Sequence, residues 1–243
     1  MLLLRKLKFK MINKGKIGKY LIYAVGEILL ITIGIFLAFQ ANRWKEDITD
    51  KKLEQELLIN IWSGLQGDLI DIKSNKEAHG RFLNSQIQSI KWIEGNKVSK
   101  DSVVDNFSIA HKSTSFLKSN APFESLKEFG LNRISNDTLR YYIVNLYDIK
   151  YPNFEDIHKQ YHNTLSEALD LGLVYFEDWS YERNVNLMVP IDEEGLKRNR
   201  KYLMKLKYLK RLNELVLIYN AALENQVSET IKLIERGVKN NKG

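Results

Sequence analysis

The sequence predicts an all-α protein, with a single N-terminal transmembrane helix followed by an extramembrane helical bundle of three long helices plus short ones. Three observations carry that prediction. Residues 20–40, YLIYAVGEILLITIGIFLAFQ, are an apolar run of 21 residues interrupted by one carboxylate, Glu27. Apolar residues then recur at three- and four-residue spacing through most of the remaining chain. Only 3 prolines and 13 glycines occur in 243 residues, and no long stretch alternates with the period of two that a half-buried strand requires.

The apolar run is considered first. At about 1.5 Å per residue it makes a helix of roughly 30 Å, the thickness of a hydrocarbon core. Tyr20 and Tyr23 stand at one end and Trp44 beyond the other, where aromatic rings favour the membrane–water interface. A cleaved signal peptide has a shorter apolar region ending in a small-x-small site. Here the run is followed by Gln40, Ala41, Asn42, Arg43 and Trp44, so an uncleaved anchor is expected. Seven cations (Arg5, Lys6, Lys8, Lys10, Lys14, Lys16, Lys19) and no acid precede the helix, whereas the other flank mixes Arg43, Lys45, Lys51 and Lys52 with Glu46, Asp47 and Asp50. The positive-inside bias places residues 1–19 in the cytoplasm as a basic tail, 20–40 in the membrane, and a helical domain of residues 43–240 on the far side. The tail, with Leu2, Leu3, Leu4, Leu7, Phe9, Met11 and Ile12 among its cations, can also lie along anionic lipid.

That tail also explains the net charge of +7. Outside it, the other 30 of the 37 basic residues face 30 acidic ones, so the domain is close to neutral and nucleic acid is not an expected partner. Absence of cysteine excludes disulfides, thiolate catalysis and cysteine-ligated zinc or iron–sulfur sites.

Within the membrane run, a carboxyl group in hydrocarbon costs on the order of 2–3 kcal/mol. Helical spacing puts Tyr23, Glu27, Gly34 and Ala38 near one face, and Gly34 with Ala38 form a small-xxx-small pair that lets another helix approach closely. Two readings of Glu27 stay open. It cements a contact with a second copy of the chain or another membrane protein, or it reaches back to the headgroups near Lys19.

Beyond the membrane, Leu53, Leu57, Ile61, Leu65, Leu69 and Ile72, continued by Phe82, Leu83, Ile87, Ile90 and Ile93, predict a long helix to Gly95 with no break from the membrane segment. Gly64 and Gly67 weaken it locally. Ser99 or Asp101 can cap a short helix through His111. APFESLKEFG predicts another, with Pro122 in its first turn and Gly130 past its end. Asn136 or Asp137 opens a longer helix to about Tyr181, which Pro152 should break or kink. Its face is Leu139, Tyr142, Ile143, Leu146, Ile157, Tyr161, Leu165, Leu169 and Val174. Residues 184–192 with Pro190 make a loop. Glu193 begins a last helix to about Gly237, carrying Leu196, Leu203, Leu206, Leu209, Leu212, Leu215, Ile218, Ala222, Ile231 and Ile234. The elements read as a bundle.

Two blocks carry a resemblance. KYLIYAVGEILLITIGIFLAFQANRWKE, through Tyr23, Ala24, Gly26, Glu27, Ile28, Gly34, Ile35, Ala38, Gln40, Asn42 and Trp44, resembles the opening of a large family of uncharacterised single-pass proteins of Bacteroidota. APFESLKEFG is similar to that family's Glu-Ser-Leu-Lys-x-x-Gly segment, carried by Glu124, Ser125, Leu126, Lys127 and Gly130. The C-terminal 60 residues carry little resemblance. The resemblance implies a Gram-negative inner-membrane protein with a periplasmic helical domain, and it implies no activity.

Catalytic motifs are scarce. His158 and His162, four apart on one helical face with Glu155 and Glu167 nearby, are the candidates for a divalent-metal site, but the position after the first histidine is Lys159 rather than the glutamate of a zinc protease. No G-x-S-x-G, P-loop or G-x-G-x-x-G occurs. The tyrosines between Tyr141 and Tyr181 suit either a core or a ligand pocket. The expected function is a non-enzymatic periplasmic interaction or sensory module of the inner membrane that needs no cofactor and assembles through its membrane helix as a homo-oligomer or with another membrane protein. The alternatives are a metal-dependent periplasmic enzyme using His158 and His162, and a passive envelope scaffold.

Overall fold

The computed structural model describes residues 17–177 and 187–240. The basic tail up to residue 16, and the part of the expected Tyr181 helix end and 184–192 loop that falls on 178–186, lie outside the described residues. The chain divides into two compact units, Met1–Leu53 and Glu54–Gly243. Among the described residues it consists of helices joined by turns and irregular segments, with one isolated bridge between Phe176 and Pro190.

Helix α1 runs unbroken over Ile17–Ile93. Its apolar run in the first unit is largely exposed, and none of its most apolar 18-residue window is buried. A core helix would bury that window, so the run has the character of a single-pass anchor. Residues 43–52 are helical and exposed as well, and packing begins only at Glu54.

The second unit is a helical bundle. It comprises α1 from Glu54, α2 (Lys100–Ala110), α3 (Ala121–Phe129), α4 (Asp137–Asn145), α5 (Tyr151–Gly172), α6 (Glu193–Arg198) and α7 (Arg200–Asn240). Local chemistry accounts for most boundaries. Pro122 sits in the first turn of α3, and Gly130 ends it at φ +97°, a conformation that glycine adopts without strain. Asn136 caps α4, its side chain accepting from the Leu139 amide. Ser99 occupies the position before α2 without a side-chain cap.

Three differences from the sequence expectation have physical causes. At Pro152 the expected helix is divided, by a change of helix type and not by a loop. One widened π turn, Leu146–Lys150, closes with Tyr151 N–H donating to Leu146 O, and Pro152 then falls in the first turn of α5, where its missing N–H costs nothing. Helix α5 stops at Gly172 and a 3₁₀ turn at Leu173–Tyr175 follows, well short of Tyr181. The last helix is divided at Asn199, whose ψ of 84° leaves the helical region. Its side chain accepts from Tyr202 N–H and donates to Leu171 O, which starts α7 and ties it to the end of α5.

The three long helices pack along strict three-four seams. On α1 the seam is Leu58, Ile61, Leu65, Asp68, Ile72, Asn75, His79, Phe82, Gln86, Ser89 and Ile93; on α5 it is Tyr151, Phe154, His158, Tyr161, Leu165, Ala168 and Gly172; on α7 it is Tyr202, Leu206, Leu209, Asn213, Val216, Asn220, Leu223, Val227, Thr230 and Ile234. Such a 3.5-residue repeat is that of knobs-into-holes packing. Cross-helix pairs set the directions: Asp68 meets Tyr151 and Gln86 meets Tyr161, so α1 and α5 run parallel, while Lys76 meets Glu224 and Glu94 meets Lys207, so α7 is antiparallel. Leu69, Leu83, Ile87, Leu203 and Leu215, expected in the core, are only part-buried, and Ile218 is 60% exposed. Close approach also shapes α1. A Cβ at Gly64 would stand 2.9 Å from Ser119 Cβ, so this glycine makes room for the chain entering α3.

Candidate functional site

The membrane-helix candidates stand where the spacing put them. Tyr23, Glu27, Gly34 and Ala38 are helical and exposed, and a Cβ at Gly34 would meet nothing within 4 Å. Gly34 and Ala38 therefore present backbone, with little side chain, to whatever approaches that face.

A second candidate lies inside the bundle, where the seams bring polar groups together. His79 Nδ1 stands 2.7 Å from Asn213 Oδ1, and Asn213 Nδ2 donates to His79 O at 3.2 Å and to Gln86 Oε1 at 3.1 Å. Gln86 Nε2 in turn donates to Ala110 O and to the Tyr161 hydroxyl, each at 3.1 Å, and that hydroxyl donates to Lys112 O at 2.9 Å. One chain of hydrogen bonds thus links α7, α1, α5 and the end of α2. Since Asn213 Oδ1 accepts, His79 carries its proton on Nδ1, which leaves Nε2 as a bare acceptor.

Of the two predicted metal candidates, His158 points inward. Its ring lies 5.0 Å from that of His79 and 4.4 Å from that of Phe154, with both nitrogens buried and unpartnered. His162, whose ring is 6.3 Å from that of His158, turns toward Thr114 O instead, 3.0 Å from its Nε2. The structure thus adds His79 to the pair. Even so, among the described residues no group of three or more histidines or carboxylates is arranged to hold a metal ion. Burial pushes His158 down to about 3, with His79 and His162 adding to the shift, and burial also lowers His79. Both rings are neutral at neutral pH.

Other buried polar groups flank this layer. Asp68 accepts from the Tyr151 hydroxyl at 2.5 Å and from Ser119 N–H at 2.8 Å. Burial raises its carboxyl above the ordinary range, against the lowering effect of those hydrogen bonds. His111, fully buried, donates from Nδ1 to Phe107 O at 2.8 Å and accepts at Nε2 from Tyr202 at 3.1 Å, and burial lowers it to about 4.

Sequence reasoning missed Asp68, Asn75, His79, Gln86, Asn213 and Asn220 as core positions. One signal was available: all six fall on the three-four repeat of their own helices. The arrangement defines a helical-bundle protein with one candidate membrane helix and a polar-laced interior. No family model matches the chain, and no curated protein or solved structure is significantly similar to it.

Proposed function

We propose that the chain is a non-enzymatic interaction or sensory module of the inner membrane, anchored by α1 with its basic tail in the cytoplasm and its bundle in the periplasm. The observation that carries this reading is the exposed apolar surface of α1. Leu21 to Phe39 present large apolar side chains to every side, and no other part of the described chain covers them. Such a surface is stable only against lipid or other apolar helices. The asymmetry of cations about the helix supports the orientation, and the resemblance to single-pass Bacteroidota proteins supports the compartment. Assembly goes through the face of Tyr23, Glu27, Gly34 and Ala38, where small residues permit a close helix crossing and a carboxyl group gains most from a hydrogen-bonding partner. The partner is a second copy of the chain or another membrane protein.

The test is purification of wild type and Glu27→Gln from native membranes in mild detergent, with light scattering for mass and mass spectrometry for companions. The reading expects wild type as an oligomer or with a specific companion that the variant loses. Two monomeric, unaccompanied proteins would remove its basis.

A further inference from the structure

Between α2 and α3 the chain runs without helix from Lys112 to Asn120, and side chains of α1 and α5 fasten its backbone. Lys112 O accepts from Tyr161, Thr114 O lies against His162 Nε2, and Ser115 O accepts from Asn75 at 3.3 Å. Leu117 N–H donates to Asp71 at 3.2 Å, and Ser119 N–H donates to Asp68. Phe116 packs its ring 5.5 Å from Tyr151 and 5.2 Å from Phe154. The segment therefore bridges α1 and α5 where His79 and His158 face each other. Asn75 is one turn from His79, His162 is one turn from His158, and Phe154 touches His158. Within a turn of these contacts, His79 Nε2 and both nitrogens of His158 are buried without partners, as is Thr114 Oγ1 of the segment itself.

We propose that residues 112–119 form an acid-released strap, closed over the neutral imidazoles of His79 and His158 at neutral pH and opened when mild acid protonates them. An imidazolium in this layer has no counter-ion. From α1 the facing ionisable groups are Asp68 and Asp71, both committed to strap N–H groups. From α5 they are His162, held against Thr114 O, the hydroxyls of Tyr151 and Tyr161, and Glu155, which is paired with Lys118 at 2.9 Å. The strap itself carries the cations Lys112 and Lys118, and α7 contributes the neutral amide of Asn213. Opening gives the rings water. It also breaks bonds that involve single backbone groups, so it leaves the helix–helix seams in place. The inference does not depend on the membrane reading.

The sign follows from linkage. His158 binds a proton near 6.5 when hydrated and near 3 when covered, so protonation favours the open strap at any pH between them. Going from about pH 7.5 to about pH 5, His158 alone multiplies the opening equilibrium by about 30. Asp68 acts oppositely, because its raised carboxyl binds protons more readily in the closed state, so the comparison should stop near pH 5.

Hydrogen exchange of the full-length chain in lipid nanodiscs reads this directly, after correction for intrinsic exchange chemistry. The Leu117 and Ser119 amides, bonded to Asp71 and Asp68 in the closed strap, should exchange about 30-fold faster at the lower pH, and at both pH values faster than the amides of the seam between Tyr202 and Val216, which open only with the whole bundle. Unchanged strap protection would overturn the proposal, and so would strap and seam amides exchanging at one common free energy of opening, which is unfolding of the whole bundle. His158→Leu should flatten most of the response, and a folded variant with the wild-type response would also refute it. The strap-against-seam comparison in wild type decides the matter even where the variant fails to fold.

Discussion

Asn213 and Asn220 lie seven residues apart on the seam of α7, both wholly buried, yet their substitution by leucine should have opposite effects. Asn213 makes three hydrogen bonds, two of them to side-chain atoms of His79 and Gln86 that have no other partner at those positions. Leucine there strands His79 Nδ1 and Gln86 Oε1. At about 1–3 kcal/mol for each stranded buried group, the loss is roughly 3 kcal/mol or more. Asn220 has both amide atoms buried and unpartnered. Leucine has the same branching and number of heavy atoms, and it relieves a desolvation penalty already present in the folded state. Allowing for tighter packing, the gain is about 1–2 kcal/mol. For a unit of this size each kcal/mol moves the midpoint by about 2–4 °C. Thermal unfolding of full-length protein in detergent, followed by circular dichroism near neutral pH, should show Asn213→Leu roughly 6–12 °C lower and Asn220→Leu roughly 2–8 °C higher. Equal destabilisation by the two substitutions would refute the reasoning, since it would mean that Asn220 is held as firmly as Asn213.

Two further outcomes follow from close packing and buried charge. Gly172→Ala should destabilise by about 1–3 kcal/mol despite the better helix propensity of alanine, because its Cβ would stand 2.7 Å from the buried ring of Tyr202; a melting point at or above wild type would show that the ring moves aside cheaply. His111, lowered to about 4 by burial, is neutral in the folded state and ordinary when unfolded, so stability falls as pH drops through 6.5 and levels off near 4. Urea titrations at about pH 7.5 and pH 5 should differ by about 2 kcal/mol through this residue alone, and His111→Gln should shrink that difference.

The long apolar helix and most helix ends were legible in the sequence because each depends on a few adjacent residues. A run of 21 residues with one carboxylate needs no tertiary information, and neither do Pro122, Gly130 and Asn136 as punctuation. The division at Asn199 was not legible, since Asn199 acts as a cap only with Tyr202 N–H on one side and Leu171 O on the other. The interior was misread for a different reason. Apolar residues on α7 such as Leu215 and Ile218 also recur at three and four, one step around the helix from the true seam, and they drew the assignment away from Asn213 and Asn220. A periodicity in hydrophobicity cannot find a seam that alternates apolar and polar residues. The three-four spacing of the polar members marks the seam in the sequence, but only their partners on α1 and α5 distinguish it from the apolar row beside it.

That alternation raises the question of what holds α7 in register against α1. Polar residues on a helix seam commonly fix register at some cost in stability. Here, however, the heptad spacing of Asn213 and Asn220 would let α7 slide by seven residues and still offer an asparagine to His79 and Gln86. The rim charges discriminate between the two positions. In the observed register Glu94 meets Lys207 and Lys76 meets Glu224 at 2.7 Å. After the slide Glu94 would face Glu214, a like charge, and Lys76 would face Ile231, which is buried in the observed register. Exposed ion pairs of this kind add little to stability individually. Their contribution lies in the penalty that they place on the shifted arrangement, where attraction at one rim position becomes repulsion. The polar layer thus requires an asparagine opposite His79, and the charges on the rim decide which one.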